Sequence, residues 1–101
     1  MIGQHSIDDF CTGMKIPQED EVIEIEHKGE RISAIVNSVK PHEAGKGASW
    51  IWLQVDHEIP KGETVYWLLE KGRFPVAVHE VSKRDGRSLI RIAAYQGAVP
   101  Q

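Results

Sequence analysis

Val22-Ile23-Glu24-Ile25-Glu26-His27-Lys28-Gly29-Glu30-Arg31-Ile32-Ser33-Ala34-Ile35-Val36 decides the fold class. Apolar and polar side chains alternate along most of it, the period of a strand and not the 3.6 of a helix. Lys28-Gly29 interrupts the alternation where a tight turn belongs. If His27 faces Glu30, then Ile25 faces Ile32 and Ile23 faces Ala34, while Glu26 meets Arg31 on the opposite side. One face is apolar and the other carries a charge pair, the pattern of a half-buried antiparallel hairpin.

The same period continues downstream. Strands are predicted at 22–27, 30–39, 49–56, 63–69, 73–82 and 87–95. Ile59-Pro60-Lys61-Gly62 joins the third to the fourth, Lys71-Gly72 turns the fourth into the fifth, and Asp85-Gly86 turns the fifth into the sixth. An Asp-Gly pair between alternating strands is among the strongest short hairpin signals. The 40–48 segment, with Pro41, Gly45 and Gly47, reads as an exposed mobile loop. Ahead of the strands lies an arm, 1–20, with a short helix: Ser6 can cap it, Asp9 favours its positive end, and Gly13 stops it before Pro17. The sum is one mostly-β domain over 1–101, a small antiparallel β-barrel or sandwich of about six strands in nearest-neighbour order.

Bulk properties narrow the class. The 101 residues suit a single domain, and 41% hydrophobic with 27% charged residues is ordinary globular composition. A formal charge of −3 gives no reason to expect a nucleic-acid partner. No apolar run approaches the roughly 20 residues that span a bilayer, so no membrane partner is expected. Met1 to Phe10 lacks the basic and apolar segments of a secretion signal, and the single Cys11 fits a reducing compartment, so the cytoplasm is the expected location.

The hairpin turns also predict which side chains share a face. With Glu70 opposite Arg73, and Arg84 opposite Arg87, one face holds Trp50, Trp52, Val65, Trp67, Leu69, Phe74, Val76, Val78 and Tyr95. That face is a sufficient core. The other is apolar as well, holding Ile51, Leu53, Val55, Tyr66, Leu68, Ala77, Val81, Ile90 and Ile92. Two apolar faces need two covers. Either the register differs from this one or a bulge swaps the faces within a strand, or the second face is a protein–protein interface centred on Ile51, Leu53, Val55, Leu68, Ile90 and Ile92, joining copies of the chain or a partner.

Candidate chemistry is sparse. Asp56-His57-Glu58 and Pro41-His42-Glu43 have no zinc-site spacing, and Cys11 has no partner cysteine, so neither metal nor cofactor is expected. Cys11 with any of the histidines, His57 or His79 among them, is the nucleophile–base combination open to it, and no flanking motif supports it. Gly45-Lys46-Gly47 lacks the spacing of a phosphate loop. Trp50, Trp52, Tyr66 and Trp67 form an aromatic group with Lys46, Lys61 and Lys71 nearby. Core packing is its simplest use. An OB-like or SH3-like barrel binding peptide, oligosaccharide or nucleic acid is the alternative.

Three segments carry a resemblance. Ile59-Pro60-Lys61-Gly62-Glu63-Thr64-Val65 steps into a strand, 70–81 forms a Gly-x-Phe-x-Val hairpin arm, and Arg84-Asp85-Gly86-Arg87-Ser88-Leu89-Ile90-Arg91-Ile92 returns. With the first hairpin and the loop after it, about residues 21–97 resemble the head–tail joining, or tail-attachment, proteins of lambda-type phages and prophages. The resemblance implies a small β-barrel with mobile segments, no enzyme activity, and ring assembly with neck and tail proteins, in the host cytoplasm and then in the virion. The family's longer N-terminal helix has no counterpart beyond Ser6 to Met14. On the interface reading, Leu53→Lys and Ile90→Lys each leave the fold intact and abolish assembly.

Overall fold

In the computed structural model, which describes residues 15–43, 45, 47–70 and 72–97, the Lys28-Gly29 and Asp85-Gly86 turns both have two consecutive left-handed residues. Their φ angles are 51° and 81°, and 55° and 77°. Paired positive φ values give a turn whose twist matches that of the strands it joins, and glycine takes one of them without a Cβ penalty. These turns set two hairpins. The first joins β1 (Val22–His27) to β2 (Glu30–Pro41). The second joins β6 (Glu80–Arg84) to β7 (Arg87–Tyr95). Both registers agree with the sequence reading: Ile25 faces Ile32, Ile23 faces Ala34, Glu26 faces Arg31, and Glu80 faces Arg91.

Three further strands, β3 (Ala48–Val55), β4 (Thr64–Leu69) and β5 (Gly72–Ala77), complete an all-β, seven-stranded antiparallel sheet that curls into a half-barrel. Its order is β5-β4-β1-β2-β3-β7-β6, which corrects the expected nearest-neighbour order. β3 does not form a hairpin with β4. It pairs instead with β7, from Ala48 opposite Tyr95 to Val55 opposite Ser88. β4 returns to β1, where Trp67 faces Ile25. The connection between β3 and β4 inserts Ile59, only 3% exposed, into the core, which a tight turn would not permit. In the β4–β5 hairpin, Trp67 faces Phe74 and Val65 faces Val76. That is two residues from the expected register. A slip of two leaves every side chain on its own face, so alternation alone cannot detect it.

The expected strand 73–82 is two strands. Val78 exchanges backbone hydrogen bonds with the start of β4, its N–H donating to the Glu63 carbonyl and its carbonyl accepting from Gly62, both at 2.8 Å. The next residue, His79, donates to the carbonyl of Arg91 on β7, also at 2.8 Å. Residues 72–84 therefore pass from one edge of the sheet to the other and tie the two edges together at that point. His27 joins the same region through a 2.6 Å hydrogen bond to Glu63, which holds the Glu63 carboxyl below its ordinary range.

Parity changes within the chain resolve the two apolar faces. The β2–β3 ladder shifts register between Val36 and Ser38, so Ile32, Ala34 and Val36 point inward before the bulge and Val39 packs on the core after it. The break at Val78 and His79 does the same on the other side of the molecule. The result is one interior. Ile51, Leu53, Val55, Ile90 and Ile92 are 0–2% exposed, and they share the core with Ile25, Val65, Trp67, Val76 and Val78. The expectation that these five side chains form an interface is corrected: one chain buries them itself. Leu68, the sixth, is half-buried on the outside of β4. Trp50, Trp52 and Tyr95, expected in the core, also face outward and are half-buried or exposed. The short helix expected before Pro17 lies outside the described residues.

Burying a Leu, Ile or Val side chain stabilises a fold by about 1.5–3 kcal/mol. Truncating Leu53 to Ala is expected to cost about 2–5 kcal/mol in chemical denaturation. Leu53→Lys and Ile90→Lys are expected to lose the cooperative thermal transition of the monomer. Retention of a folded monomer by both would contradict this core.

Candidate functional site

The outer face of the β3–β7 ladder carries an unusual concentration of aromatic and cationic groups. Strand alternation sends Trp50, Trp52 and Gln54 outward from β3, opposite Ala93, Arg91 and Leu89 of β7. The Arg91 guanidinium reaches diagonally over the Trp50 ring, with Cζ 4.1 Å from its centroid and 5.9 Å from that of Trp52. Such a cation–π contact fixes the guanidinium on the sheet surface. Arg91 Nε is buried and has no hydrogen-bond partner among the described residues.

Three further groups hold Trp50. His42, at the end of β2, stacks on it at 4.3 Å with 28° between the rings. His79, at the strand switch, meets it edge-on at 5.0 Å. Glu43 accepts a 2.8 Å hydrogen bond from the indole Nε1–H. The Glu43 carboxyl lies below its ordinary value of 4.5, first through a backbone hydrogen bond within its own residue and then through the Trp50 bond. Trp50 is thus a packed centre. Trp52, half-buried, is the indole left to line open space.

That space is a cleft of about 490 Å³ lined by Asn37, Ser38, Lys40, Trp52, Ser82, Arg84 and Leu89. A second cleft of about 310 Å³ adjoins it and shares Asn37, Arg84 and Leu89, adding Gln54, Asp85 and Arg87. The pair makes a groove crossing β2, β3, β7 and β6 over a Leu89 floor that is 7% exposed. The β2–β3 ladder is irregular between Val36 and Ser38, and Asn37 at that bulge lines both clefts. Lys40, Arg84 and Arg87 form no ion pair with a described residue.

The opposite half of the outer face differs. Glu26 binds Arg73 at 2.8 Å, Glu24 accepts from Ser33 and lies 4.0 Å from Arg31, and the Arg73 guanidinium covers Tyr66 at 4.4 Å. Charge there is neutralised in pairs. Elsewhere Lys61 pairs with Glu80 and His57 lies 3.5 Å from Glu30.

The aromatic group expected from the sequence therefore divides. Trp67 is core at 4% exposed, Tyr66 stands under Arg73, and Trp50 and Trp52 form the outer cluster. Of the expected basic neighbours, Lys61 pairs with Glu80, while Lys46 and Lys71 lie outside the described residues, as does Cys11 of the Cys11–His combination. Sequence reasoning missed Lys40, Arg84, Arg87 and Arg91 as one group because Lys40 on β2 is far in the chain from the β6–β7 hairpin that carries the three arginines. Among the described residues no three His, Cys, Asp or Glu side chains are grouped to hold a metal ion, and no helix is long and apolar enough to cross a membrane. The chain matches no known family, no curated protein and no solved structure.

Because the Glu43 carboxylate is favoured in the fold, its bond to Trp50 is present above 4.5 and is lost as pH falls through the lowered value. Tryptophan emission is expected to change with a midpoint below 4.5 in the native protein and to lose that transition in Glu43→Gln. A midpoint at or above 4.5 would show that the bond does not form in solution.

Proposed function

We propose that the protein is a small β-barrel-like binding module that takes an anionic ligand in the outer groove of β2, β3, β7 and β6. The observation that carries this reading is the set of Lys40, Arg84 and Arg87, cations with no ion-pair partner among the described residues, around an apolar floor at Leu89 and an indole wall at Trp52. Surface cations normally gain little from pairing and stay solvated. Clustered beside a desolvating concave wall, they raise the local concentration of negative groups. The test is titration of isotope-labelled protein with three polyanions: oligothymidylate, a heparin oligosaccharide and poly-glutamate. At least one is expected to shift the amide signals of the groove residues at low salt, with affinity reduced about tenfold or more in Lys40→Glu/Arg84→Glu. Binding by none of the three, or equal binding by the variant, would overturn the reading.

A structural role in a phage or prophage particle is the second reading. With Ile51, Leu53 and Ile90 interior, it has to use another surface, and the free edge of β6 favours it. β6 lies at the end of the sheet and carries Val81, 43% exposed. The other edge, β5, contains Pro75, which removes a backbone donor. Strand addition at β6 would make the chain self-associate. Sedimentation velocity is expected to show an oligomer that Val81→Pro dissociates, and a monomer at all concentrations would count against this role.

A further inference from the structure

We infer that the ligand of the outer groove is a single-stranded nucleic acid. The inference rests on the groove being the binding surface and adds the chemistry of what fills it. A ligand suited to the groove needs negative charges spaced to meet Lys40, Arg84 and Arg87, and a flat ring to cover Trp52. A nucleotide strand joins both features in every repeat. An acidic peptide has the charges and no obligatory ring. A sulfated sugar has the charges and a puckered, non-aromatic ring. Stacking of bases on indole is strong and tolerant of sequence, because every base has a π-face.

The neutral polar groups point the same way. Asn37, Ser38, Gln54 and Ser82 line the two clefts between the cations. Amides and hydroxyls of this kind donate to and accept from base edges that a single strand leaves free. A duplex hides those edges and its ring faces, so the indole wall would have nothing to stack on. The groove crosses four strands, and three strand spacings of ~4.8 Å make about 14 Å, room for a short stretch of strand and too narrow a contact for a helix of stacked pairs. Trp50, clamped by His42 and Arg91, serves as support. It sets the Arg91 guanidinium beside Trp52, with Nε–H unpartnered among the described residues.

The net charge of −3 does not oppose this. Screening at physiological salt cuts off interactions between exposed charges beyond about 8 Å, so a strand in the groove responds to the nearest charges. Glu24 and Glu26 stand on the opposite half of the outer face and are engaged by Ser33 and Arg73. Among the described residues Asp85 is the one carboxylate lining the clefts.

The experiment is fluorescence anisotropy of labelled twelve-residue oligothymidylate and oligouridylate with the intact chain, beside a duplex of equal length. Both single strands are expected to bind, at least tenfold tighter than the duplex. Three phosphate contacts give a slope of log K against log salt of about −2, lowered in size by about 0.7 in Arg84→Gln. Trp52→Ala is expected to weaken binding about tenfold, and Trp52→Phe, which keeps a ring, to retain most of it. Circular dichroism of each variant separates lost binding from lost folding. Equal affinity for the duplex, or no effect of Trp52→Ala in a folded protein, would overturn the inference. If oligonucleotides fail while heparin or poly-glutamate binds through Lys40 and Arg84, the nucleic-acid inference falls and the anionic-groove reading stands. If no polyanion binds, both fall.

Discussion

Val78 and His79 are adjacent in the chain and hydrogen-bond to opposite ends of the same sheet, Val78 to the start of β4 and His79 to β7. A flat sheet cannot satisfy both. The sheet has to curl until its two edges approach, and the inner sides of all its central strands then face a single core. That closure turns two half-covered apolar surfaces into one interior, with Ile51, Leu53, Ile90 and Ile92 on one side and Ile25, Val65, Trp67 and Val76 on the other. Ile59 plugs the space that the long β3–β4 connection crosses.

Closure also creates the outer groove. Once odd positions of β3 turn inward, Trp50 and Trp52 have to face out, opposite Arg91 and beside the cations of β2, β6 and β7. Two large indoles outside a small barrel are costly unless something covers them. His42, His79 and Arg91 cover Trp50, and Trp52 is left lining a cleft. The same curl separates the charges. The outer side of β1, β4, β5 and the start of β2 holds matched pairs, and Lys40, Arg84 and Arg87 have no ion-pair partner among the described residues. A slightly acidic chain can therefore present a locally basic groove.

Local features were legible in the sequence wherever the determining residues lie close together. Alternation from Val22 onward identified strands, and Lys28-Gly29 and Asp85-Gly86 set two hairpins to the residue, since a turn of fixed geometry dictates its own register. The β4–β5 hairpin was placed two residues off, because alternation is blind to an even slip. The tryptophans drew notice as a group, but which of them was core depended on strand parity. Parity was lost at the Asn37 bulge and at the Val78–His79 break, neither of which has a mark in the composition of its segment. Arg84, Arg87 and Arg91 share the β6–β7 hairpin, but only the pairing of β3 with β7 sets them beside Trp52 and Lys40.

The sequence by itself determined the all-β class, the strands at both ends of the two tight turns, and the excess of apolar positions, because period and turn chemistry act over a few residues. Tertiary structure alone decided that β3 pairs with β7, that the apparent second face is the core, and that Trp52, Lys40, Arg84 and Arg87 share one groove. Strand pairing at long range is chosen by the total burial that the closed sheet achieves. That quantity belongs to the whole chain and is not encoded in any one stretch of it.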